Sequence, residues 1–145
     1  MTKNEIARIQ LERAMLIFTA DNDMVSALTL AGAAEEILGK QVLPNAKDEI
    51  LNFIEKRIVS KGDLFDRKAI GNNMNYPRNS FKHLRVGDRS DLQFDFADEA
   101  SAIIDRALTN YVRLLGEWPC SEIYVAYCDK KRKIEESKRS RPTTT

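Results

Sequence analysis

Residues 95–116 read DFADEASAIIDRALTNYVRLLG. Ala100, Ile103, Ile104, Ala107, Leu108, Tyr111, Val112 and Leu115 recur three and four positions apart, the period of one helix face. Asp95 is suited to cap the first turn, and Gly116 stops the helix where a left-handed residue is wanted. The stretch therefore predicts a long amphipathic helix with a full core-facing stripe. Such a stripe must be buried against other elements, so the rest of the chain has to supply them.

It supplies more helices. Thr2-Lys3-Asn4-Glu5 is a capping-box pattern. Ala7, Leu11, Ala14 and Phe18 follow at helical spacing, and Ile6, Ile9, Leu16 and Ile17 widen the apolar stripe. This helix is expected to end near Asp21-Asn22-Asp23. Asp23 then caps a second helix in MVSALTLAGAAEEILGK, residues 24–40. Ala31, Gly32 and Ala33 are small and let another helix approach closely, which offsets the roughly 1 kcal/mol cost of a mid-helix glycine. Asn45 caps a third helix, with Ile50, Leu51, Phe53, Ile54 and Ile58 apolar and Gly62 at its end. DLFDRKAIGNNMN reads as a short helix and a turn. Pro77 then suits the first turn of another brief helix. After the Trp118-Pro119 corner, EIYVAYC reads as helix in preference to strand, because no partner strand is evident. The expected architecture is all-α, an antiparallel helical bundle of four to six helices. Residues 1–119 form the bundle domain, and residues 120–145 form a C-terminal helix and a charged tail that frays.

Composition narrows the function classes. The chain has 145 residues, 43% hydrophobic and 31% charged, with a formal net charge of +1. No global field favours nucleic acid or membrane, so any preference must come from local clustering. Cys120 and Cys128 lack metal-site spacing, and a single histidine cannot complete a common zinc set. No metal or cofactor is expected, and the thiols are expected to be free. MTKNEIARIQ has no apolar leader core and no stretch approaches a membrane span, so a cytoplasmic protein without membrane contact is predicted.

Chemistry concentrates in NYPRNSFKHL, residues 75–84. If Pro77 begins a helix, Arg78 and Asn79 lie in its first turn, where unpaired backbone N–H groups favour a phosphate. Arg78 adds a planar two-donor fork. Asn79 and His83, four apart, share a face. Arg78 and His83 are roughly 140° apart around the axis, so their convergence needs reach or a second chain. Metal-free RNA cleavage requires a base for the 2′-hydroxyl and an acid for the leaving 5′-oxygen. Histidine does either near neutral pH, and a symmetric dimer would bring two of them together. Residues 66–89 carry six basic side chains against two acidic ones, as a phosphate-backbone groove would. Lys82, Arg85 and Arg89 are candidate RNA contacts, and Tyr76 is a candidate base-stacking ring. A solvated polar face explains the same charges. Glu35, at the edge of the packed side of the second helix, is a candidate supporting carboxylate.

The Arg78-Asn79-x3-His83 pattern, at a helix start in a small all-α chain, resembles the motif of the HEPN domains: an arginine, four to six residues and a histidine, often with Asn, Asp or His after the arginine. The resemblance covers residues 78–83. It implies a helical bundle, commonly dimeric, with the motifs facing each other. It also implies, for many members, metal-independent endoribonuclease activity in toxin–antitoxin or host-defence systems. On that reading Arg78, Asn79 and His83 are catalytic, and the partners are RNA, a second copy and an antitoxin or defence-system protein. Some toxin members carry a tyrosine two positions after the histidine. Arg85 stands there instead, which puts regulation through such a tyrosine in doubt. The alternative is a non-catalytic interaction module of the same bundle class that binds a protein partner.

Overall fold

In the computed structural model the described residues are 1–42, 46–62, 64, 66–68 and 95–140. Among them every regular element is helical, and no strand occurs. The helices are α1 (Lys3–Leu16), α2 (Met24–Val42), α3 (Ala46–Val59), α4 (Phe96–Leu115) and α5 (Ser121–Arg139). Asn45 and Pro77, expected to begin helices, lie outside the described residues.

The helix ends follow local chemistry. Thr2 and Glu5 form both bonds of the capping box at α1. α1 continues into a π-helical turn, Ile17–Asp21, in which the Thr19 hydroxyl donates to the Met15 carbonyl at 2.7 Å. Asn22 then takes the left-handed conformation (φ 53°), which a short polar side chain tolerates. Asp23 accepts the Ser26 N–H at 3.0 Å and starts α2. Asp95 accepts the N–H groups of Ala97 and Asp98 at 2.9 and 3.1 Å. Gly116, at φ 68°, closes α4 by donating to the Val112 carbonyl.

The core forms between α1, α2 and α4, and α5 seals it with the buried Tyr127 and the partly buried Ile123, Tyr124, Cys128 and Ile134. Ala7, Leu11, Ala14 and Met15 of α1 are wholly buried, as are Ala27, Leu28, Ala31, Ala34 and Leu38 of α2. α4 adds Ala100, Ile103, Ile104, Ala107, Leu108 and Tyr111. Tyr127 of α5 meets Phe18 edge to face, with ring centroids 5.3 Å apart. α2 packs most extensively against α4, then α1 against α2.

The helix directions can be read from the contacts. Glu12 meets Cys120 and Phe18 meets Tyr127, so α1 and α5 run the same way. Tyr111 with Glu117, Asp105 with Tyr127, and Asp95 with Lys138 make α4 and α5 antiparallel. α1 with its π-helical turn is separated from α2 by only Asn22 and Asp23, and the two helices pack together, so they are also antiparallel. α2 and α4 therefore run parallel, and Asn110 of α4 lies beside Gly39 of α2. The expected antiparallel order holds within the two hairpins but not between them. A parallel contact needs a crossover connection, and residues 43–94 make it.

Three further expectations change. Ile6, Ile9 and Leu16, assigned to the packed stripe of α1, are 37%, 46% and 39% exposed. α1 buries only the narrow face through Ala7, Leu11, Ala14 and Met15, and the other three side chains point away from it. Leu115, in the last turn of α4, is also at the surface. The charged run from Asp129, expected to fray, is helical to Arg139. Arg132 pairs with Asp129 (2.7 Å) and Glu136 (2.8 Å), and Lys133 with Asp129 (3.1 Å). Lys138 reaches Asp95 and Asp98 at 2.7 and 2.6 Å, tying the end of α5 to the start of α4. Residues 141–145 are not among those described.

Candidate functional site

Arg78, Asn79 and His83 lie outside the described residues, and so do Tyr76, Lys82, Arg85 and Arg89. Glu35 is described. It is half-buried on α2, one turn before Gly39. A Cβ built at Gly39 would sit 3.3 Å from Asn110 Nδ2 and 3.6 Å from Glu35 Oε1. The missing side chain thus leaves room for a carboxylate and an amide from two helices over one point of the backbone. Cys120 is exposed and Cys128 half-buried, both as free thiols. Among the described residues no His, Cys, Asp and Glu cluster could hold a metal ion.

A second polar constellation, absent from the reading of the sequence, lies along the α4–α5 seam. It borders a cavity of about 590 Å³, within the roughly 300–1,000 Å³ of small-molecule clefts. At one end the buried Tyr127 hydroxyl donates to Asp105 Oδ1 at 2.8 Å and also lies 3.2 Å from the Ser101 carbonyl. Lys131 Nζ binds the other oxygen of Asp105. Burial, and then the Asp105 charge, push the Tyr127 phenol well above the ordinary tyrosine range, so it stays protonated and keeps donating. Asp105 is thus held from two sides, by a neutral donor and a cation.

At the other end the chain turns at Trp118-Pro119. The Trp118 and Tyr124 rings lie 4.7 Å apart at 34°, and Trp118 is 56% exposed. The Tyr124 phenol is raised by its hydrogen bond with Cys128 and then by burial. Arg113, exposed on the last turn of α4, lines the same cavity and makes no ion pair among the described residues. Thr109 and Val112 form the wall between the two ends. The bend exists because Gly116 ends α4 and because Glu12 of α1 accepts the Cys120 N–H at 3.2 Å where α5 begins. A carboxylate at that position favours the positive end of the helix dipole.

No protein-family model matches the sequence, and no curated protein or solved structure does either. The likeness to HEPN domains therefore rests on residues 78–83 and on the all-helical architecture.

The sequence did carry signals for the seam. Asp105 and Thr109, then Thr109 and Arg113, are four apart on α4, while Tyr124, Tyr127 and Lys131 follow helical spacing on α5. Without the pairing of the two helices, these residues have no reason to be read together.

Proposed function

We propose that the chain is a metal-independent endoribonuclease of HEPN type that acts as a homodimer, with a role as toxin or host-defence effector. The observation that carries the reading is the Arg78-Asn79-x3-His83 motif in a chain with one histidine. The helical architecture is compatible with it. In this reading Arg78 binds the scissile phosphate and stabilises its developing charge. His83 serves as general base toward the 2′-hydroxyl or general acid toward the leaving 5′-oxygen, and its counterpart in the second copy takes the other role. Asn79 orients the phosphate or the imidazole. Lys82, Arg85 and Arg89 hold the RNA backbone, Tyr76 stacks a base, and Glu35 supports the site. The attack of the 2′-oxygen on phosphorus expels the 5′-oxygen, so the products are a 2′,3′-cyclic phosphate and a 5′-hydroxyl.

The test is incubation of the purified protein with mixed RNAs in EDTA, followed by analysis of the product ends. Cleavage with cyclic-phosphate ends is expected. His83→Ala is expected to lower the rate by at least about a hundredfold, the usual scale of a general acid or base. Cleavage that persists undiminished in His83→Ala sinks the assignment.

One observation favours the alternative of a binding module. Ile6, Ile9 and Leu16 form an outward stripe on α1 that no described element covers. In that reading His83→Ala leaves RNA intact and growth unchanged, while Ile9→Glu abolishes capture of a protein partner such as an antitoxin.

A further inference from the structure

The α4–α5 seam offers what a nucleic-acid strand needs at one nucleotide, and it does so with none of the residues of the Arg78–His83 motif. We infer that this groove binds a single nucleoside monophosphate unit of an RNA strand, its base stacked on Trp118 and its phosphate held by Arg113. The inference rests on the ribonuclease reading for the choice of RNA, but not on the identity of the catalytic residues.

The chemistry of the two ends supports it. Tyr124 packs against the Trp118 indole, which still keeps more than half of its surface in solvent. A braced, exposed aromatic ring is a stacking platform for any base, because every base has a π face. Arg113 is a cation with no ion-pair partner among the described residues, on the same cavity wall. Its fork binds phosphate through two hydrogen bonds. From Arg113 to Asp105 the groove follows two turns of α4, about 12 Å at 1.5 Å per residue.

The far end limits the occupant. Lys131 is already neutralised by Asp105, and Arg132 by Asp129 and Glu136. Glu135 lines that end without an ion pair among the described residues and repels a second phosphate. The groove therefore presents one available cation beside one aromatic shelf, which fits one nucleotide and not a run of phosphates.

Trp118 is the single tryptophan of the chain, so its fluorescence reports this groove alone. The full-length protein is titrated with a short 2′-O-methylated oligoadenylate, which has no 2′-hydroxyl with which to cleave itself. Saturable quenching is expected. Arg113→Ala is expected to weaken binding about tenfold, the scale of one charge-assisted contact. The log–log salt slope of the affinity is expected to be shallower by about 0.7 in Arg113→Ala than in wild type, the value for one phosphate on a single strand. AMP is expected to quench more weakly than the oligomer, and inorganic phosphate is expected not to quench. AMP binding as tight as the oligomer's would give the groove to a free nucleotide and overturn the strand. Absent quenching, or quenching indifferent to Arg113→Ala, overturns the groove itself. Trp118→Ala, followed through the anisotropy of a labelled oligoadenylate, is expected to lose the same tenfold, and unchanged affinity also overturns it. Quenching in His83→Ala separates the two readings. If that variant quenches normally while wild-type cleavage proves independent of His83, the groove stands and the catalytic assignment falls. If cleavage requires His83 and no oligomer quenches Trp118, the reverse holds.

Discussion

Tyr127 shows how much one side chain does in this fold. Its ring closes the core against Phe18, and its hydroxyl, in the same buried position, steadies Asp105. Tyr127→Phe keeps the ring and deletes one bond to a carboxylate. The expected loss is about 1–2 kcal/mol, because Asp105 retains Lys131 and the Ser101 carbonyl belongs to a helix. Urea titration measures it. The pH dependence has a definite sign. The folded state raises the phenol pKa, so protonated Tyr127 contributes stability that is complete below the unfolded value of about 10. That contribution is lost as the pH rises toward the folded value. Tyr111 and Tyr124 are raised too, by burial and by the Cys128 hydrogen bond respectively. The difference between wild type and Tyr127→Phe isolates the one group. The gap is expected to narrow above about pH 10, and a constant gap would mean that the hydroxyl is not the stabilising group.

At the scale of the element, α4 and α5 are tied at the ends distant from their shared corner. Asp95 caps α4 and also binds Lys138, whose ammonium reaches Asp98 as well. The Lys138 hydrogen bond, followed by the Asp98 N–H, holds the Asp95 carboxyl below its ordinary range. Its contribution is therefore complete above the ordinary carboxylate pKa and is lost as the pH falls through the lower folded value. Asp95→Ala is expected to cost about 1 kcal/mol for the cap, and Asp95→Asn much less, since asparagine caps as well. Melting curves at pH 7 and pH 3 check this. If the two variants melt together at pH 7, the cap is not the dominant contribution. This element also shows what was legible. Residues 95–116 declared both ends of α4 because a capping Asp and a terminating Gly act locally. EIYVAYC was readable as helix only through the want of a partner strand. In the charged run to Arg139, the pairs of Arg132 with Asp129 and Glu136 and of Lys133 with Asp129 are a local pattern three and four apart, but the tie of Lys138 to residues some 40 positions earlier was not readable. Ile6, Ile9 and Leu16 looked like core because periodicity reports that a face is apolar, not which of two apolar faces turns inward.

For the whole molecule, the decisive contact is the parallel seam of α2 and α4, and only half of it was visible beforehand. Ala31-Gly32-Ala33 announced a close helix neighbour, and Ala31 and Gly32 are indeed buried while Ala33 is half-buried. That α2 packs most extensively against α4, running the same way, is a tertiary fact that no local pattern encodes. The same limit applies to function. The Arg78–His83 motif could be read as a motif, whereas the Trp118–Arg113 groove arises only when α4 and α5 fold together. The packing of α2 can be tested through volume. Fully buried alanines occur on both helices, Ala27, Ala31 and Ala34 on one and Ala100 and Ala107 on the other, and a larger side chain at a fully buried position must displace its neighbours. Ala31→Leu adds apolar surface but must force the helices apart, at an expected cost of about 1–3 kcal/mol. In a chain of this size each kcal/mol lowers Tm by about 2–4 °C. Ala33→Leu places the same volume at the half-buried edge, where it can lean toward solvent, and its Tm is expected to stay close to that of wild type. Equal melting temperatures for the two variants would show that the small-residue face is not what sets the spacing of the bundle. A selective loss in Ala31→Leu would show that packing on the buried face of α2 is limited by the alanine side chains themselves.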